Sequence, residues 1–254
     1  MKISLVLMSR NEEKYIKTFF KNLGNQTRKP DEIILVDSST DRTPELAKPF
    51  VTKLIKTLPK GCADARLRGQ EKARGDIIVF TDIDAIPEKN WLKEIENMFQ
   101  NPEVKVVVGK VTYNEIPSKL RADSLNGCNM AFRKEILEEF KWDTTQIGED
   151  IDMGYRLIKA GYRIYPCEQA TVHHTGTLDD PKFTHIRAGR SMALLLYKYR
   201  TPYWFGRICY NILYALRIGK PKYAYWLSHS FIFSLYDIIF KKRKTPYIFK
   251  GYAK

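Results

Sequence analysis

The stretch Asp76-Ile77-Ile78-Val79-Phe80-Thr81-Asp82-Ile83-Asp84 decides the fold. Four consecutive apolar residues, set between Gly75 and a pair of acids, read as a strand buried on both faces. Such strands belong to sheets covered by helices on each side. Two more runs have this character, Ile3 to Met8 and Glu32 to Val36. Between them, Asn11 to Leu23 places Tyr15, Ile16, Phe19, Phe20 and Leu23 at helical spacing. Asp64 to Ala73 reads as a helix closed at Gly75, and Ser38 to Asp41 as a turn able to cap a helix after Pro44. Val51 to Leu54 is a short third strand, Trp91 to Phe99 a helix and Val104 to Val111 a long strand. Strands alternating with helices imply a doubly wound α/β sheet.

Ligands of such sheets lie beyond the carboxyl ends of the strands. Asp37 ends one strand, and Asp82 and Asp84 end another. Folding by itself requires no acids there. Alternate side chains share a face, so Asp82 and Asp84 converge past the strand end. Paired hard oxygen ligands suit Mg²⁺ or Mn²⁺, which hold a diphosphate and neutralise its charge. A solvated turn uses the same residues, so the pair gains meaning only from its company.

That company lies further along. Gly148-Glu149-Asp150 opens a helix from Ile151 to Ala160, closed by Gly161. Acids at a helix start are stabilised by its dipole, and one of them can also serve as a general base toward a hydroxyl. Asn129 to Phe140 reads as an amphipathic helix, and Arg163 to Tyr165 and Ala170 to His174 as two strands. Alternation puts His174 on the face of Val172, which makes it the inward member of the His173-His174 pair and a candidate imidazole ligand.

The chain has 254 residues, 44% of them hydrophobic, enough to bury a core and to exclude global disorder. Cys62, Cys128, Cys167 and Cys209 form no C-x-x-C pair, so neither a zinc site nor a disulfide framework is expected and a reducing compartment fits. The apolar run before Arg10 is too short for a signal peptide, which leads to the expectation of a cytoplasmic start. Charge is uneven. From Arg190 to Lys254 there are 13 Lys and Arg against one acid, Asp237, a net +12 out of +14 for the chain. The same segment holds 17 of the 32 aromatic residues. The body at 1–185 is therefore expected to be a near-neutral globular domain, and 186–254 a helical, basic, aromatic extension.

No run in this extension is long and apolar enough to read as a transmembrane helix. Tyr225 to Phe240 places Ser230, Ser234, Asp237 and Lys241 on one narrow polar stripe, and Lys241-Lys242-Arg243-Lys244 follows. That pattern predicts peripheral attachment to the cytoplasmic face of a membrane. Each such charge gains about 1 kcal/mol near anionic lipid.

Taken in order, these residues resemble family 2 glycosyltransferases, inverting enzymes with the GT-A fold. The resemblance rests on Val6 to Glu13, Ile33 to Asp41, Ala73 to Asp76 running into Phe80 to Asp84, Gly127 to Arg133, and Gly148 to Asp152 followed by Arg156 and Ala160-Gly161-Tyr162. It implies a mixed, mostly parallel sheet flanked by helices. It also implies a nucleotide-diphospho-sugar donor of UDP, GDP or dTDP type, a Mn²⁺ or Mg²⁺ cofactor, and a glycan or lipid-linked acceptor. By this resemblance Ser9, Arg10, Glu12, Asp37, Arg66, Arg68 and Asp82 bind the nucleotide sugar. Asp82, Asp84 and His174 hold the metal. Gly127, Cys128 and Asn129 border the sugar and acceptor, and Asp150 is the base with Glu149 beside it. Two stretches depart from the family pattern. Met8-Ser9-Arg10-Asn11 stands where Pro-Thr-Tyr-Asn is usual, and Leu67 replaces the asparagine of Ala-Arg-Asn-x-Gly, so that Arg66 or Arg68 is the expected phosphate ligand.

Two other classes share part of the pattern. A nucleotidyltransferase would use a related sheet and acidic pair, but the Gly-rich basic loop expected for a triphosphate is missing near the N-terminus. A nucleic-acid-binding protein would suit the basic, aromatic segment but gives the acids at the strand ends no role. No nucleic-acid partner is expected.

Overall fold

The computed structural model describes residues 1–113, 116–117, 120–144, 148–175 and 181–240. The chain forms two compact units. The first comprises Met1–Thr144 and Glu149–Gly176, the second Thr145–Gly148 and Thr177–Lys254.

The first unit is built on a mixed sheet. Its strands are β1 (Ile3–Ser9), β2 (Glu32–Asp37), β3 (Lys53–Lys56), β4 (Ile77–Asp82), β5 (Ala85–Pro87), β6 (Val106–Tyr113), β7 (Ile116–Pro117), β8 (Met130–Arg133) and β9 (Ile164–His174). Their order is β3-β2-β1-β4-β8-β6-β9-β5, with β7 paired to β6. The β3-β2-β1-β4 half is parallel. β8 runs antiparallel to both β4 and β6. This is the GT-A-like mixed α/β architecture. The helices are α1 (Glu13–Gly24), α2 (Thr43–Ala47), α3 (Cys62–Lys72), α4 (Trp91–Met98), α5 (Lys134–Glu139) and α6 (Glu149–Lys159).

β1 is buried along its whole length because its alternate side chains enter two different cores. Ile3, Leu5 and Leu7 pack with Phe19, Phe20, Trp91 and Phe99 on one face of the sheet. Val6 packs with Phe80, Phe132, Trp142, Met153 and Leu157 on the other. Burying each such side chain contributes about 1.5–3 kcal/mol, which explains why the central strands read as unbroken apolar runs.

Two local expectations change, and one strand is new. The predicted helix over 129–140 exists only from Lys134. Met130 to Arg133 is instead strand β8, because Met130, Ala131 and Phe132 fill the gap between β4 and β6 and are buried on both faces. Tertiary pairing there overrides the helical pattern. The two short strands at 163–165 and 170–174 are one strand, β9, with an irregularity opposite Gly109 and Lys110 that displaces Glu168, Gln169 and Ala170 from the ladder. β5, too short to read from sequence, pairs Ala85 with His174.

The second unit carries α7 (Pro181–Tyr199), α8 (Pro202–Arg217) and α9 (Pro221–Phe240). Among the described residues no helix is long and apolar enough to cross a membrane. The basic cluster 241–244 lies outside the described residues.

Candidate functional site

The parallel register sets the site at one edge of the sheet. Ser9 lies opposite Asp37, and Met8 lies opposite Asp82. Both acids thus flank the carboxyl end of β1, where the chain leaves the sheet.

Asp37 is buried and fixed. Its Oδ1 accepts from Ser9 Oγ at 2.7 Å and Ser39 Oγ at 2.6 Å, and its Oδ2 accepts from the Ser39 N–H at 3.2 Å. Asn11 ties this loop to the neighbouring one. Its N–H donates to Ser39 Oγ at 2.8 Å, and its Oδ1 accepts from the Thr40 N–H at 2.9 Å. Asn11 does so at φ 58°, a left-handed conformation that asparagine tolerates better than most residues. Arg10 is exposed on the same loop.

Asp82, Asp84 and His174 offer one ligand atom each within 4.8 Å of one another. His174 Nε2 lies 3.6 Å from Asp84 Oδ1. The β5–β9 pairing holds them together, reinforced by the Thr175 N–H, which donates to the Asp84 carbonyl at 2.8 Å. His173 turns the other way, its Nδ1 2.8 Å from Thr112 Oγ1 and its Nε2 3.1 Å from Glu88 Oε1. His174 Nδ1 is buried without a hydrogen-bond partner. One imidazole nitrogen and two carboxylates within 4.8 Å of one another form an N,O,O donor set of the kind that Mn²⁺ or Mg²⁺ accepts, so these residues fit a divalent cation.

Electrostatics favour the same view. Burial, opposed by Arg66 and reinforced by Asp84, raises the Asp82 carboxyl to about 6. Burial also raises Asp84, against the pull of His174. Glu12 is pushed to about 8 by burial and then by the charges of Asp84 and Asp82. Burial is the main cause of all three rises, and the neighbouring acids add to it at Glu12 and Asp82.

Asp150 and Glu149 open α6. Asp150 Oδ2 accepts the Gly127 N–H at 3.0 Å, and its Oδ1 accepts the Ile151 N–H at 2.9 Å. Burial and the Glu149 charge raise its carboxyl, while Arg66 and the two N–H groups oppose the rise. A carboxylate with raised proton affinity is a better general base than an exposed one.

Arg66 is buried, pairs with Glu149, donates from Nη2 to the Gly127 carbonyl at 3.1 Å and lies 5.4 Å from the Trp142 ring. Its charge is thus met by Glu149. Arg68 pairs with Asp64 at 2.6 Å on the outer side of α3. Asn129 is fully buried and accepts from Trp91 Nε1 at 2.9 Å while donating to the carbonyls of Lys110 and Ala170 at 2.8 Å. Its side chain braces β6, β9 and α4 through these bonds. Cys128 is buried too, its Sγ 3.1 Å from Asn126 Oδ1.

Tyr113 was not singled out in the sequence. It ends β6 opposite His174, their rings 5.2 Å apart. Its hydroxyl accepts from Asn126 Nδ2 at 3.3 Å. The contacts therefore run from His174 through Tyr113 and Asn126 to Gly127 and Asp150. A second route runs from Asp82, through the field of Arg66, to Glu149 and Asp150. Metal-type ligands and the candidate base belong to one neighbourhood at the carboxyl end of the sheet. The signal for Tyr113 was its place at a strand end, but an aromatic residue there is more often part of the core.

Comparison with known proteins agrees with this geometry. The description "Glycosyl transferase family 2" matches residues 4–156. The O-antigen chain rhamnosyltransferase WbaN of Salmonella anatum is 28% identical over 192 residues, covering 62% of this chain and 60% of WbaN. The chain thus spans less than two thirds of that relative's length. A dolichyl-phosphate hexose transferase of Haloferax volcanii is 24% identical over 183 residues, 64% of this chain and 79% of that protein. Among solved structures, the mannosyltransferase PcManGT of Pyrobaculum calidifontis, in complex with GDP-Man and Mn²⁺, superposes with a TM-score of 0.72 at 18% identity, covering 93% of this chain and 87% of its own. With the family match extending over more than half of its length, the chain belongs to glycosyl transferase family 2.

Proposed function

We propose that the protein transfers a hexose-type sugar, with inversion, from a nucleoside diphosphate sugar to an acceptor hydroxyl on a glycan, and that the acceptor is lipid-linked. The observation that supports this proposal is the gathering of Asp82, Asp84 and His174, linked to Asp150 through the Arg66 charge that acts on both Asp82 and Asp150. PcManGT, which shares the fold, binds GDP-Man and Mn²⁺, and the Haloferax relative acts with a dolichyl phosphate. Both support a donor and an acceptor of these classes.

Asp82, Asp84 and His174 would hold the divalent cation, with Mn²⁺ or Mg²⁺ equally suited to the set. When bound, the cation supplies positive charge to the diphosphate. Asp37, Ser9, Arg10 and Glu12 line the end of β1 and β2 where the nucleoside would sit. Asp150 accepts the proton of the acceptor hydroxyl as its oxygen attacks the anomeric carbon from the face opposite the diphosphate. The bond from that carbon to the diphosphate oxygen breaks, and the leaving group keeps the electron pair. The configuration inverts in this one step, and no sugar is bound covalently to the protein. Asp150 is held by the Gly127 and Ile151 N–H groups, so the base is oriented before substrate arrives.

The test is a panel of UDP-, GDP- and dTDP-sugars with Mn²⁺, scored by thermal stabilisation and slow donor hydrolysis. One nucleotide class is expected to stabilise the protein only with metal present. Equal stability with every donor, with and without Mn²⁺, would remove the proposal.

A further inference from the structure

We infer that α9 presents an apolar face that docks flat on an anionic lipid bilayer, while its serine row faces inward as the packing edge. Sequence spacing marks Ser230 and Ser234 as the polar stripe of an otherwise apolar helix. The structure buries that stripe, with Ser230 5% and Ser234 8% exposed. A side chain at Gly189 of α7 would strike Ser230 Oγ, with Leu227 O at 2.5 Å and the Phe231 nitrogen at 3.0 Å. Here α7 and α9 approach backbone to backbone, through small residues. Ser230 Oγ is satisfied within its own helix, donating to the Leu227 carbonyl at 3.1 Å.

Burying the serines turns the large side chains outward. Ile232 is 65% exposed and Phe233 54%, and Tyr225, Tyr236 and Ile239 continue the same face at helical spacing. Tyr210, Leu213 and Tyr214 are similarly exposed on α8. Thirteen of the 18 exposed large hydrophobic residues in the described chain fall between Tyr197 and Ile239. Singly scattered apolar residues need no explanation, but a concentration of this kind marks an interaction surface.

Charge selects the occupant. The described residues 190–240 carry seven Lys and Arg against one acid, Asp237. A protein partner with an apolar patch would need a matching acidic rim, whereas an anionic bilayer supplies both the apolar layer and a continuous negative surface. Among the described residues no helix is long and apolar enough to cross a membrane, and the inference lays this face along the bilayer. This surface would hold the protein beside the lipid-linked acceptor proposed above. It rests on that reading only for its purpose, because its test reads lipid binding and not transfer.

The full-length protein is floated with vesicles of phosphatidylglycerol and phosphatidylcholine, and with vesicles of phosphatidylcholine alone. Binding is expected to the anionic vesicles and to fall at least tenfold in the Ile232→Asp, Phe233→Asp double variant. Its thermal midpoint should not change, since both side chains are already mostly in water. A second measurement uses the native protein. Trp226 lies one heptad before Phe233 on α9, whereas Trp91, Trp142 and Trp204 are buried. Brominated lipid should quench Trp226 in the bound state. Undiminished flotation of the double variant, no quenching of Trp226, or a lipid-free dimer that the double variant dissolves would each overturn the inference. The last result would assign the face to a second copy of the chain.

Discussion

Asp150 and Arg66 are joined through a single residue: the Gly127 N–H donates to Asp150 Oδ2 at 3.0 Å, and the Gly127 carbonyl accepts from Arg66 Nη2 at 3.1 Å. A Cβ at Gly127 would stand 2.5 Å from Arg66 Nη2 and 3.4 Å from Asp150 Oδ2. Arg66 cannot yield freely, because Glu149 and Trp142 hold its other side. Gly127→Ala is therefore expected to lower transfer at least about tenfold, the cost of roughly 1.4 kcal/mol in the barrier. Donor affinity should remain, and steady-state kinetics separate the two effects.

Asp150→Asn removes the proton acceptor but keeps the side-chain volume. Transfer is expected to fall by about 10²- to 10⁴-fold, the usual contribution of a positioned base. Thermal stabilisation by donor and Mn²⁺ should persist. Transfer at the native rate would show that another group takes the proton.

Breaking the Arg66–Glu149 pair leaves a buried charge alone. Arg66→Ala is expected to destabilise the fold by about 3–5 kcal/mol, as measured by denaturant unfolding. A loss below 1 kcal/mol would mean that water reaches the pair.

In the metal-free protein, Glu12 and Asp82 retain protons up to about 8 and about 6. In the unfolded chain both titrate near pH 4. Across that interval the folded state binds more protons, so these two groups make stability fall as pH rises. Glu12→Gln should flatten this slope in thermal unfolding series. Mn²⁺ should release protons on binding near pH 6, which calorimetry detects as a heat that depends on the buffer's ionisation enthalpy.

Much of the architecture was legible because each central strand buries both faces and so reads as an apolar run. β1, β2 and β4 are of this kind, and α1 shows its buried Ile16, Phe19, Phe20 and Leu23 at plain helical spacing. β8 was not legible. Met130 to Arg133 fits a helix locally and becomes a strand only because β4 and β6 leave a gap of its width. At the site, Asp82 and Asp84 announced themselves by position. The neighbour that completes their donor set arrives through β5, three residues long, whose pairing with β9 no local pattern discloses. The partners of Arg66 and Asn129 were hidden for a related reason. A polar residue in a motif looks the same whether it meets a ligand or satisfies a buried carboxylate, and only the long-range contacts distinguish them.

The central claim is that one cation site and one base share a cleft. It is tested most directly by anomalous scattering from crystals of the full chain soaked with Mn²⁺ and either UDP or GDP. A single manganese peak bound by Asp82, Asp84 and His174, with the nucleotide's diphosphate on the side of Asp150, is the predicted result. A manganese peak bound elsewhere, or a nucleotide seated away from Asp150, would contradict it.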